Sequence, residues 1–185
     1  MVAGLDQRIR AIKDTVDVLR DESEGRKPAL PLQGLSWINA RAFLEVQGMR
    51  FPSEAEWEYA CRAGSTAAFS FGAKGSKAGP YVWHKGNSAG KFQAVGKKLS
   101  NAFGLRDMHG NVMEFCEDAW HSSYAGAPKS GQSAWLDAKV QKRVVRGGGA
   151  KQALQRCRSS SRLGVLPSKV HPGVGLRAAI SLTGA

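Results

Sequence analysis

The chain has 185 residues and 42% hydrophobic content, enough for one buried core and too much for wholesale disorder. No run approaches about 18 uninterrupted apolar residues, which excludes a membrane-spanning helix, and an odd count of three cysteines argues against a disulfide framework. The formal net charge of +12 draws polyanions by counterion release, but the cations (Arg41, Arg62, Lys74, Lys142 among them) are scattered, with no basic run longer than Lys97-Lys98 and no interleaved aromatics. Nucleic acid is therefore not the expected main ligand. A charged N-terminus without an apolar segment, together with the cysteine count, makes the cytoplasm the expected location.

In chain order, Leu5, Ile9, Ile12, Val16 and Leu19 recur at alternating spacings of four and three, so residues 3–22 are predicted to form an amphipathic helix. Such a helix packs on its own domain or docks a partner or second subunit. Residues 21–27 read as a polar linker, closed by Pro28 and Pro31, so the expected division is 1–27 and a domain over 28–185. A second helix is predicted over Leu35–Val46, capped by Ser36 and with Trp37, Ala40, Phe43 and Leu44 as its apolar face. A third starts at Ser53, where Ser53 and Glu56 have capping-box spacing, and it ends at Gly64 with Trp57, Ala60 and Cys61 facing one way.

Beyond Gly64 the helical period is lost. Residues 65–106 are dense in glycine and read as short strands and loops. Asn111–Asp118 alternates as a half-buried strand, and Val140–Arg146 and Leu176–Ser181 read as two more. Helices set apart from antiparallel strands give an α+β fold, two main helices packed on short twisted strands with much irregular loop. Between Arg146-Gly147-Gly148-Gly149 and Gly175-Leu176-Arg177 the residues follow neither period, the pattern of a loop system tied down at both ends.

Three stretches, in register, resemble one family. RFPSEAEWEYACRAG (Arg50–Gly64) resembles R-L-P-T-E-A-E-W-E-Y-A. NAFGLRDMHGNVMEFCED (Asn101–Asp118) resembles N-A-F-G-L-Y-D-M-x-G-N-V-W-E-W. RVVRGGG, CRSSSR and GLR resemble R-V-x-R-G-G-S-W, C-R-x-x-x-R and G-F-R. These motifs are those of the formylglycine-generating enzyme type of sulfatase-modifying domain, a variant of the C-type lectin fold. The resemblance runs over about residues 31–181.

The family contains enzymes and non-enzymes, so the fold does not decide the function. The resemblance to the enzymes implies two cysteines five residues apart that bind copper as thiolates, a role suited to soft sulfur ligands. Here Gln152 stands at the first position and Cys157 at the second; glutamine is neither a nucleophile nor a soft ligand. Cys157, like Cys61 and Cys116, reads as a small packing residue. The sulfoxide synthases of the wider family hold iron through histidines of a separate N-terminal domain, whereas His84, His109, His121 and His171 show no i, i+3 or i, i+4 pairing. His109 lies within a family motif and reads as a residue of the fold. Calcium is a further possibility that the resemblance raises at Glu114. One carboxylate with carbonyls is a thin set for that ion, so Glu114 is expected to bond loop amides, and no cofactor is expected.

One branch of this fold, the variable proteins of diversity-generating retroelements, is non-catalytic and ends in a variable region whose side chains form a binding surface. The resemblance implies such a region over about 147–177. Its expected anchors are Gly147, Gly148, Cys157, Arg158, Arg162, Gly175 and Arg177. Its expected contacts with an unknown protein target are Lys151, Gln152, Leu154, Gln155, Arg156, Leu163, Val165, Leu166, Lys169, Val170, His171 and Val174. The basic members suggest an acidic partner. Lys151, Gln152, Gln155 and Lys169 cannot arise from an asparagine codon by replacing its adenines alone, and Ala150 stands where the family has tryptophan. The competing expectations are a copper oxidase of the formylglycine-generating type, or a degenerate relative, and a structural or regulatory interaction module.

Overall fold

The computed structural model describes residues 29–131 and 133–181; the helix expected over 3–22 and its linker lie outside them. Helix α1 spans Trp37–Val46, and the Ser36 hydroxyl accepts the Asn39 N–H at 3.2 Å. Trp37, Ala40 and Leu44 are buried, but Phe43, expected on the same face, is 48% exposed. At 3.6 residues per turn it falls about a quarter turn off the buried stripe. Helix α2 spans Glu54–Arg62, and its capping box closes both ways: the Ser53 hydroxyl accepts the Glu56 N–H at 3.1 Å, and the Glu56 carboxylate accepts the Ser53 N–H at 2.9 Å. Its buried face carries Trp57, Ala60 and Cys61. The left-handed Ala63 and Gly64 terminate it.

Four strands, β1 (Met113–Ala119), β2 (Arg143–Arg146), β3 (Arg162–Val165) and β4 (Val174–Gly175), form one sheet in the order β3-β2-β1-β4. β2 pairs antiparallel with β1 and β3, whereas β1 pairs parallel with β4, so the sheet is mixed rather than wholly antiparallel. β3 falls in a stretch without alternation and was not predicted. The strand expected over 176–181 is absent: β4 precedes it, and Ala179 makes only an isolated bridge to Arg50.

β1 is not half-buried as its alternation suggested, since Glu114, Phe115 and Cys116 are all buried. Successive side chains point to opposite faces, and both faces are covered. Cys116 and Val144 pack with Trp57, Ala60 and Cys61 of α2, while Phe115 and Val145 pack with Trp37, Ala40 and Leu44 of α1. The 65–106 stretch contains no strand, only a 3-10 turn at Gly75–Lys77 and irregular chain. It is organised by a third cluster, Phe69, Ala78, Val82 and Cys157, flanked by stacked Phe71 and Tyr81, ring centres 4.6 Å apart. Asn101 fixes its far end, its amide donating to Ala60 O at 2.7 Å while its oxygen accepts the N–H groups of Phe103 and Leu105 at 3.0 Å each. Among the described residues no helix is long and apolar enough to cross a membrane.

Candidate functional site

The segment from Arg146 to Arg177 leaves the sheet, runs over the surface and returns to it, and buried ion pairs hold it at intervals. Arg146, 1% exposed, donates to Glu54 at 2.6 Å, to Ser159 O at 2.6 Å and to Glu58. Arg162 donates to the same Glu54 carboxylate at 2.7 and 2.5 Å. Glu54 therefore clamps the chain just before and just after the 147–161 loop. Arg162 also lies under Trp120 and Tyr124, 4.5 and 4.3 Å from their ring centres. At the far end Arg177 donates to both oxygens of Glu114 at 2.7 and 2.9 Å, and Trp57 Nε1–H to one of them at 2.7 Å. Glu114 is thus bonded to an arginine and an indole, not to the loop amides expected, because β4 brings Arg177 alongside β1.

The glycines hold close approaches. A Cβ on Gly148, at φ +69°, would lie 2.5 Å from Arg156 O, and one on Gly175 would lie 2.3 Å from Leu32 O. Arg158, expected as an anchor, has an exposed side chain, and the neighbouring Ser159 carbonyl meets Arg146 instead. Cys157 is fully buried in the third cluster, and burial pushes its thiol up to about 12. Burial likewise pushes Cys61 up to about 12 and Cys116 well above the ordinary thiol range. His109 Nδ1 lies 2.8 Å from Cys157 O, and Nε2 accepts the Ser70 N–H at 3.1 Å. That pair of bonds fixes the neutral tautomer with the proton on Nδ1, and burial holds the imidazole below its ordinary value.

Between the clamps lies a cleft of about 370 Å³. Met113, Val145, Ala153 and Leu163 give it apolar walls; Gln152, Arg156 and Ser161 supply polar groups. Gln152 Nε2 is 3.5 Å from Met113 Sδ. Cys157 does not line the cleft. Arg146 and Arg162 do, but their guanidinium groups are engaged by Glu54, whereas Arg156 forms no ion pair among the described residues.

Of the expected contact residues, Lys151, Gln155, Arg156, Leu163, Leu166, Lys169 and Val170 are exposed, and Gln152, Leu154 and His171 are half-buried. Leu154 packs on the third cluster. Val165 and Val174 are corrections: they are 6% and 0% exposed and belong to the cluster beneath α1. Both lie on strands absent from the prediction, and Trp37, Ala40 and Leu44 of α1 pack in the same cluster over them. Sequence reading also missed Ile38, 51% exposed. Its N–H donates to Pro167 O at 3.2 Å, and Ser36 bridges Val170, so the first turn of α1 adjoins Leu166 and Val170. In the sequence Ile38 is merely an apolar residue off the helix stripe.

The sequence pattern of the "Sulfatase-modifying factor enzyme 1-like domain" matches residues 6–182. The fold and motifs define a domain of that class, and the chain belongs to the family. It is 30% identical to the formylglycine-generating enzyme of Mycobacterium tuberculosis over 122 residues, which is 60% of this chain and 41% of that protein. The solved structure of PvdO from Pseudomonas aeruginosa is similar with a TM-score of 0.75 and 33% identity, over 85% of this chain and 63% of that one. Treponema denticola variable protein 1 is similar with a TM-score of 0.66 and 32% identity, over 71% of this chain and 47% of that one. The chain thus spans under half of the Mycobacterium protein and under two thirds of PvdO.

Proposed function

We propose that this protein is a non-catalytic ligand-binding member of its family, presenting the cleft and the 151–171 surface to a protein target. The observation that carries this reading is the pair of positions where the related enzymes place their cysteines. Gln152 occupies the first and lines the cleft, and Cys157 occupies the second, sealed in a hydrophobic cluster with its thiol pushed up to about 12. A protonated, enclosed sulfur at one position and a carboxamide at the other make a poor copper site, because the metal takes thiolates. The surface suits binding: exposed Leu163 walls the cleft and exposed Ile38, Leu166 and Val170 adjoin one another, and exposed apolar side chains gathered in one region mark interaction sites. Similarity to a protein called a variable protein supports the same reading, as does a loop whose backbone is fixed by clamps and glycines while its side chains remain free. No cofactor is required in this reading.

The test is direct. Purified protein is supplied with copper and a cysteine-containing peptide of sulfatase type, and oxygen uptake and peptide mass are followed. The expected result is neither uptake nor conversion of cysteine to formylglycine, and conversion would overturn the reading. The diversified branch of the proposal further expects a near-copy of the 3′ end of the gene, differing almost wholly at adenines, close to a reverse transcriptase gene; a genome with neither removes that branch.

A further inference from the structure

The cations are scattered along the sequence but not across the molecule. Residues 59–106 carry eight Lys and Arg with no Asp or Glu, and residues 138–185 carry ten with none. The rest of the chain carries nine cations against fifteen acids, so these two acid-free segments hold the whole +12 excess. The fold lays one against the other. The Lys85 N–H donates to Gln152 O at 2.9 Å, and the Ser88 hydroxyl donates to Ala150 O at 2.6 Å. Gln93 and Asn111 exchange two bonds of 3.0 Å that tie the same loop to the start of β1. Phe92 lies between Lys151, whose ammonium is 4.9 Å from the ring centre, and Gly173, where a Cβ would meet the ring at 3.2 Å.

The 84–92 loop, with Lys85 and Lys91, is thereby packed against the 150–152 segment, which carries Lys151 and leads through Gln152 to Arg156 at the cleft. All four cations are exposed, and none forms an ion pair among the described residues. We propose that the 84–92 loop is a second, constant wall of the binding surface, and that the surface recognises an acidic polypeptide segment which places an apolar side chain in the cleft between its carboxylates. This rests on the ligand-binding reading above. The cleft walls, Met113, Val145, Ala153 and Leu163, suit an aliphatic side chain, and the surrounding ammonium and guanidinium groups suit carboxylates. A nucleic-acid strand fits less well, because Lys151 lies over the Phe92 ring of this wall and Gly173 packs against the ring edge, which leaves little stacking surface for a base.

The test uses the full chain and a fluorescein-labelled peptide, Glu-Glu-Leu-Glu-Glu, with binding read by anisotropy at low and physiological salt. The double variant Lys85→Glu/Lys91→Glu is expected to weaken binding by roughly tenfold or more, and Lys85→Gln/Lys91→Gln by less. The charge-matched control is Lys139→Glu/Lys142→Glu, placed before β2 at the Ala119 end of its pairing with β1, away from the cleft; it is expected to change binding by less than about twofold. Replacing the central Leu by Glu should also weaken binding. Equal losses in test and control variants would show that net charge alone acts and would overturn the proposal. So would tighter binding of a single-stranded DNA of equal charge, which would make this a nucleic-acid face. Thermal melting of each variant confirms that it is folded. Anisotropy does not depend on turnover, so formylglycine formation would remove the non-catalytic reading while leaving the wall's contribution measured separately.

Discussion

His109 and Cys157 show what single residues contribute here. Both have side chains capable of chemistry, and both are spent on structure. The His109 ring spans the gap between the 65–106 stretch and the C-terminal segment through Ser70 and the Cys157 carbonyl, with its edge against Phe69 and Phe71. Its neutral form is the native one, since protonation would place a second N–H against the Ser70 N–H. The unfolded chain takes up that proton near the ordinary value of 6.5, and the folded chain only at lower pH. Below 6.5 the unfolded state therefore binds more protons, so stability is full above that pH and falls as pH drops through it. His84, shifted down by burial and then by Lys98, adds in the same direction. Urea unfolding at pH 7.5 and 5.5 should show the loss, up to about 1.4 kcal/mol per pH unit for the buried His109, with a smaller, solvent-screened part from His84. His109→Gln should flatten the dependence while lowering stability at both pH values.

The 147–161 loop depends on elements it does not belong to. Glu54 stands at the first turn of α2, yet it fixes Arg146 at the end of β2 and Arg162 at the start of β3. A buried carboxylate shared by two guanidinium groups holds position because removing one partner leaves charge unpaired in the interior. Within the clamp the backbone doubles back on itself, and Gly148 is where it passes closest. Two alanine substitutions separate the causes of strain. Gly126 has φ +83° with nothing within 4 Å of a Cβ, so Gly126→Ala should cost only the left-handed penalty of about 1–2 kcal/mol. Gly148→Ala adds a backbone collision at 2.5 Å, and a loss of roughly 3 kcal/mol or more is expected in denaturant titration.

At the scale of the whole molecule, the described acids are largely committed to buried or partly buried ion pairs, while the acid-free segments, which pack against each other, carry exposed ammonium groups. Mutual repulsion then opposes folding and is screened by salt, with a Debye length of about 8 Å at physiological ionic strength. Raising sodium chloride from 20 to 150 mM should raise the melting temperature by about 2–4 °C, the shift expected for roughly 1 kcal/mol in a chain of this size. Lys85→Glu/Lys91→Glu should reduce that rise. An unchanged or lower melting temperature in salt would show that the cations lie too far apart to repel.

The sequence by itself determined the two helices, their caps and the family. Capping boxes and helical stripes act within a few residues, and the motif Arg50–Gly64 folds through the very bonds its letters encode, as when Arg50 meets Glu56 at 2.6 Å. It also placed Gln152 where the related enzymes carry cysteine. Only the tertiary structure decided the sheet. β3 and β4 are four- and two-residue strands that exist because β2 and β1 are beside them, and a pairing of that length leaves no period to read. Packing beneath α1 buries Val165 and Val174, while Leu163, on the same face of β3 as Val165, stays exposed at the cleft. Charge followed the same division. Each lysine is visible in the chain, but that two acid-free stretches meet at one cleft is a property of contacts such as Lys85 to Gln152, separated along the sequence and set together by the packing of the core.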